Sequence, residues 1–327
     1  MNSIYIFSNG ELKRKGNTLY FESEGTKKYV PVENTREILI FGEVSINKKF
    51  LEFLSQKEII LHYFSHYGYY MGSFYPREHY NSGYIILKQA EYYMDESKRL
   101  RLAISFVKGA KGNALRNLKY YLRRGALLED IVEKIELLSL EDVKSIEELM
   151  AIEGNIKQLY YSGFDRIIKN EAFAFQKRTK RPPMNRLNAL ISFVNSIIYV
   201  TCLSEIYHTH LDPRIGFLHA SNFRRFSLNL DIAEIFKPLL GDRLIFSVLN
   251  KNIIKQKDFE RRMNGISLNE YGKKKVVKEI DERLRDTIKH EKLGRNVSYR
   301  TLIRMEAYKI EKHLIGEEIY TPFLMKW

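Results

Sequence analysis

The 327-residue chain carries 54 Lys and Arg against 40 Asp and Glu, a formal surplus of 14 positive charges, and 44% of it is hydrophobic. That is enough chain and apolar content for two packed domains, and the surplus favours a polyanionic partner, nucleic acid first. A single cysteine, Cys202, excludes an internal disulfide and any cysteine-rich zinc site.

The start of the chain lacks a basic segment followed by an apolar core, so no secretory signal is expected, and a cytoplasmic location fits. Up to about Tyr75 the pattern is one of short β-type runs, at 4–7, 18–21, 29–32 and 37–41, with Asn9-Gly10 read as a hairpin turn. A short helix is expected at 48–56, then strands at 59–64 and 69–74. The pattern changes at Tyr75-Pro76-Arg77-Glu78, where a linker belongs.

Beyond Ser82 the periodicity turns helical, with Leu100, Ile104 and Val107, then Leu115, Leu118 and Leu122, at three- and four-residue steps. Gly125, Pro182-Pro183, Pro213 and Pro238 should mark breaks or bends. The most apolar stretch, 188–207, is interrupted by Ser192, Asn195, Ser196, Thr201 and Glu205, which suits a buried helix better than a membrane span. The expected fold is α+β: a small N-terminal β-rich domain over 1–76, followed by a larger all-α domain over 77–327.

Basic side chains cluster in three places. Arg116, Lys119 and Arg123 share one helix face, Arg178, Lys180 and Arg181 precede the proline pair, and Arg224-Arg225 forms the third group. Each can track phosphates or simply be a solvated face.

Three further segments carry chemistry. Glu153 lies beside an apolar stripe of Leu149, Ile152, Ile156 and Leu159, either as an exposed partner of Lys157 at i+4 or held inward for a metal. A loop over 211–219 delivers His219. Asp231 and Glu234 share a helix face, as a capping pair or as ligands. Together these groups offer oxygen and nitrogen donors without sulfur, the mixture suited to Mg²⁺ or Mn²⁺ and to phosphodiester chemistry.

The order of these segments is specific. Glu153-Gly154 before Tyr160-Tyr161, Leu211-Asp212-Pro213 before Gly216-Phe217-Leu218-His219, and Ser227-Leu228 before Asp231, Glu234, Phe236 and Pro238 resemble the signature of the CRISPR-associated spacer-acquisition integrase and endonuclease family, Cas1. The opening run 4–12, the run 38–42, and Arg181-Pro182-Pro183 with Asn188-Ala189-Leu190 extend the resemblance over nearly the full length. It implies a metal held by Glu153, His219 and Glu234, with Asp231 as an adjacent catalytic acid or a further ligand. It also implies DNA contacts through basic residues, among them Arg224, Arg225 and Arg181. The expected activity is endonuclease and integrase: 3′-hydroxyl ends of a captured double-stranded fragment attack phosphodiesters at the CRISPR repeat. The implied assembly is a homodimer, dimerised and contacting its partner through the N-terminal domain, that joins Cas2 in a heterohexamer, with no membrane involved. The alternative is a non-catalytic nucleic-acid-binding scaffold, which would bind DNA equally well in chelator.

Overall fold

The computed structural model describes residues 2–65, 67–77, 80, 82–221, 226–263, 265–290 and 292–326. The chain divides into two compact units, Met1–His79 and Tyr80–Trp327.

The first unit runs β1 (Asn2–Ile6), β2 (Gly10–Lys15), β3 (Thr18–Ser23), β4 (Thr26–Val30), β5 (Thr35–Ile40), β6 (Val44–Ile46), helix α1 (Lys48–Gln56), β7 (Ile60–Phe64) and β8 (Tyr70–Phe74). Two four-stranded sheets result, ordered β1-β5-β7-β8 and β4-β3-β2-β6. Because β5 and β7 are parallel they need a crossover, and α1 supplies it, started by Asn47, whose side chain accepts from the Phe50 amide at 3.0 Å. Leu12, Leu19, Ile38, Phe50, Phe53 and Leu61 fill the core of this unit.

The Asn9-Gly10 pair is not the hairpin turn expected of it. The strands on its two sides enter different sheets. Asn9 Oδ1 accepts from the Glu43 amide at 2.8 Å, and the Gly10 amide donates to the Glu43 carbonyl at 3.0 Å. A Cβ on Gly10 would lie 2.3 Å from the Glu22 carbonyl oxygen, so the glycine is there to let two backbones approach. The turns of the second sheet fall instead at Gly16 and Gly25, with φ of 60° and 77°.

The second unit contains α2 (Gly83–Met94), α3 (Glu96–Leu122), α4 (Glu129–Leu137), α5 (Ile146–Ser162), the single turn α6 (Phe164–Ile167), α7 (Arg186–Tyr207), α8 (Ser227–Phe236), α9 (Arg243–Asn250), α10 (Glu270–Arg285) and α11 (Tyr299–Leu314). It is not wholly helical. A short antiparallel pair, β9 (Phe259–Arg262) with β10 (Gly265–Leu268), precedes α10, and another, β11 (Thr287–Lys289) with β12 (Asn296–Ser298), follows it. Strands of three or four residues are too short to register as alternation. Helix α7 is long and apolar enough to cross a membrane, but 78% of its most apolar window is buried inside the unit.

Pro238 marks the end of α8, as a change of winding and not as a loop. It sits in a π-helical turn, Lys237–Asp242, that joins α8 directly to α9. A proline ring clashes with the carbonyl four residues back in an α-helix, and the wider winding removes that clash.

Helix α3 packs along both α8 and α5. Buried Asn113 locks that arrangement: its Nδ2 donates to the carbonyls of Ile235 (3.0 Å) and Phe323 (2.9 Å), and its Oδ1 accepts from the Met325 amide (3.0 Å). Asn113→Ala should leave these groups unpaired and cost about 3 kcal/mol in urea denaturation followed by circular dichroism. A loss under about 0.5 kcal/mol would show that the tail and α8 are held by apolar packing alone.

Candidate metal centre

Helix α5 starts at Ser145, whose hydroxyl accepts from the Glu148 amide at 3.1 Å. Its buried residues are Leu149, Glu153, Ile156 and Tyr160. Leu149 and Ile156 are buried as expected, while Glu153 and Tyr160 take the places of Ile152 and Leu159, so Glu153 belongs to the buried stripe, 6% exposed, rather than flanking it. Helix α8 begins at Ser227, so Asp231 and Glu234 lie inside the helix and are not a capping pair. Both are buried.

Glu153 and Glu234 line one cavity of about 40 Å³, walled by Val107, Ala110, Ile156 and Pro238. Lys157 forms an ion pair with Glu153 and reaches Glu234 Oε2 at 3.0 Å. Lys237 Nζ donates to Glu234 Oε1 at 2.5 Å. Both proposed fates of Glu153 therefore coincide: it is held inward and it is paired with Lys157. Burial alone would raise the Glu234 carboxyl, but the two ammonium groups outweigh it and hold the group far below the usual carboxylate range. Burial likewise opposes the Lys157 charge, and the carboxylates of Glu234 and Glu153 overcome it and raise its pKa.

His219 arrives on a loop that is fixed from several sides. Buried Gln89 on α2 donates to the carbonyls of Asp212 and Ile215, both at 3.1 Å, and accepts from the Asp212 amide at 2.7 Å. Arg99 on α3 donates to the Phe217 carbonyl at 2.9 Å. Ser227 Oγ accepts from the Gly216 amide at 2.8 Å. Gly216 has no room for a side chain, since a Cβ would lie 2.6 Å from the Ser227 carbonyl carbon and 2.8 Å from Asp231 Oδ2.

Asp231 holds the end of this loop. Its carboxylate accepts from the amides of Phe217 (2.6 Å), Leu218 (3.1 Å) and His219 (3.0 Å), and its Oδ1 lies 2.7 Å from His219 Nδ1. With the carboxylate ionised, Nδ1 carries the proton and donates, which leaves Nε2 as the ring's free lone pair. Both oxygens of Asp231 are thereby engaged by the loop that carries His219.

Among the described residues, no three His, Cys, Asp or Glu side chains are gathered closely enough to enclose an ion by themselves. The donor set nevertheless suits a hard divalent cation. Mg²⁺ is commonly held by one or two carboxylates, with water and substrate phosphate completing the shell. Glu153 Oε1 is buried against the Lys157 ammonium, and His219 Nε2 is left as an acceptor. Lys157 stands between the carboxylates as the charge that an ion would replace.

Of the basic residues, Arg181 is exposed. Arg178 instead staples its loop to α7, donating to Asn188 Oδ1 (3.0 Å) and Ser192 Oγ (3.1 Å). Burial and the neighbouring Lys157, Arg178 and Lys237 lower the Lys180 ammonium, so that loop feels the charge of the cavity. Lys119 pairs with Glu136 at 2.6 Å, which interrupts the stripe read along α3. Arg224 and Arg225 lie outside the described residues.

Sequence reasoning missed Gln89, Asn113, Asn117 and Asp242, because no motif spacing marks a buried polar residue of this kind. Asp242 lines the same cavity, and burial pushes its carboxyl up to about 7.

Residues 4–282 match the family described as CRISPR associated protein Cas1, and the chain belongs to that family. A relative named CRISPR-associated endonuclease Cas1 2, from Thermodesulfovibrio yellowstonii, is 63% identical over 327 residues, 99% of each chain. The solved structure of a Cas1 protein from Thermotoga maritima is 48% identical, with a TM-score of 0.90 over 98% of this chain and 100% of that one. A casposase bound to integration product shares the fold alone, at 19% identity and a TM-score of 0.88 over 99% and 93% of the two chains.

Two outcomes follow from the geometry. Asp231→Asn keeps the shape but no longer fixes the Nδ1 proton, so Mn²⁺ affinity by calorimetry should fall about 10–100-fold; an unchanged affinity would remove the positioning role. In metal-free buffer, the raised folded-state pKa of Asp242 means that stability is highest below the ordinary value of 3.8 and declines as pH rises towards about 7. The melting temperature of Asp242→Asn should therefore pull ahead of the parent protein across that window and level off above it. A constant difference from pH 4 to 8 would contradict the buried titration.

Proposed function

We propose that this chain is a Mg²⁺- or Mn²⁺-dependent DNA integrase and endonuclease of CRISPR adaptation, joining captured double-stranded fragments into the repeat array. The supporting observation is a pair of buried carboxylates, Glu153 and Glu234, neutralised by lysines, with His219 locked by Asp231 so that Nε2 stays available. Glu153, His219 and Glu234 would hold the ion. When bound, it would offset charge at the phosphorus under attack and stabilise the departing oxygen.

The chain's own residues do the rest. The ammonium groups of Lys157 and Lys237 balance Glu153 and Glu234, so a divalent ion added to these four groups would leave a positive excess suited to a phosphodiester. Lys157 and Lys237, released from the carboxylates, are then placed to bind non-bridging oxygens as point charges. In strand transfer, a fragment's 3′-oxygen forms a bond to phosphorus as the repeat strand's bond to its own 3′-oxygen breaks. The proton lost by the attacking hydroxyl ends on the departing oxygen, and water as attacker gives nuclease activity.

Arg181, with Arg224 and Arg225, would hold the DNA backbone. The N-terminal domain, 1–76, would mediate homodimerisation and contact with Cas2, giving a heterohexamer that works in the cytoplasm without a membrane.

Strand transfer of a labelled fragment into a repeat-bearing plasmid tests the reading. Glu153→Ala, His219→Ala and Glu234→Ala should each lower the rate by about a thousandfold, and chelator should abolish it. Full activity of Glu153→Ala would remove this assignment of the ligands, and DNA binding as the only activity, with or without chelator, would leave the scaffold reading in its place.

A further inference from the structure

The reading above leaves one carboxylate of the cavity unused. Asp242 is 2% exposed, and its Oδ1 has no hydrogen-bond partner. A buried unpartnered carboxylate oxygen in a native protein calls for a water or an ion. Glu153, facing the same cavity from α5, holds its Oε1 against the Lys157 ammonium, the charge that an ion would replace.

The backbone brings Asp242 there by a specific route. In a regular α-helix the step from Glu234 to Asp242 overshoots two full turns by about 80°, which would carry Asp242 off the Glu234 face. The π-helical winding of Lys237–Asp242 takes that excess back and returns Asp242 to the cavity. Asn117 secures the result: its Nδ2 donates to the Pro238 carbonyl at 3.1 Å and to the Tyr160 hydroxyl at 2.7 Å. Tyr160 thus keeps its own proton to donate to the Asp242 carboxyl beside it. The volume of about 40 Å³ exceeds the 10–15 Å³ that one water needs, leaving room for an ion with part of its water shell.

We propose that Asp242 and Glu153 form a second divalent-cation subsite in this cavity, beside the ion held by His219 and Glu234, with Glu153 shared between the two. This rests on the metal-dependent reading of the preceding subsection. Paired ions clamp both the attacking and the departing oxygen of an in-line displacement, and a site with one or two carboxylates is sufficient for Mg²⁺ or Mn²⁺ when water and phosphate complete it.

The test is Mn²⁺ titration calorimetry on the full chain without DNA, with paramagnetic resonance of the bound ions. The parent protein should take up two Mn²⁺ per chain with a spin-coupled signal. Asp242→Asn, nearly the same shape and checked for folding by its melting curve in chelator, should take up one, with the remaining affinity unchanged within about threefold. His219→Ala should weaken the other ion, and Tyr160→Phe should weaken the Asp242 ion severalfold. A parent protein that binds one Mn²⁺, lost in His219→Ala and untouched by Asp242→Asn, would overturn the second subsite while the proposed function stands. No Mn²⁺ uptake by the parent protein would overturn both.

Discussion

Two carboxylates held among apolar helices must be matched by positive charge, and much of the architecture of the second unit answers that demand. An ionised carboxylate removed from water without a partner costs several kcal/mol. Here Lys157 and Lys237 supply the match, one from the helix that carries Glu153 and one from the turn that follows Glu234. Each lysine sits three or four residues from the acid it serves, so the compensation is built into the helices themselves. Both acids are consequently compensated by the same stretches of chain that carry them.

That balance depends on rigid surroundings. Helix α3 touches both acidic helices and fixes them through side-chain amides: Asn113 holds the carbonyl next to Glu234, and Asn117 holds the π-helical turn. Gln89 and Arg99 do the same for the loop of His219. A histidine on a free loop would spend its time in water. Four hydrogen bonds into Asp231 make the loop an extension of α8.

Much of this was legible in the sequence. The three short segments around Glu153, His219 and Glu234 could be picked out by residue type and order, and the change from alternation to helical spacing near Pro76 marked the shift from strand-rich to helical chain. The failures have physical causes. Asn-Gly ordinarily signals a turn, but at Asn9-Gly10 the glycine answers a close approach of backbones from distant strands, which local pattern cannot reveal. Ile152 and Leu159 drew the apparent stripe of α5 one step away from Glu153, since apolar residues at the margin of a stripe look like its centre. Pro238 reads as a break or bend under a period of 3.6, and the winding that absorbs it and presents Asp242 has no signature in that period. Arg224 and Arg225 lie in a segment about which the described residues say nothing.

The central claim is that the charge now supplied by Lys157 marks the seat of a divalent cation. Anomalous diffraction at the manganese edge, from crystals soaked in Mn²⁺, addresses it directly. The account requires a peak within bonding distance of Glu153, Glu234 and His219 Nε2, with the Lys157 ammonium moved away from both carboxylates. Crystals with the lysine still bridging the two acids, and manganese absent or bound elsewhere, would contradict it.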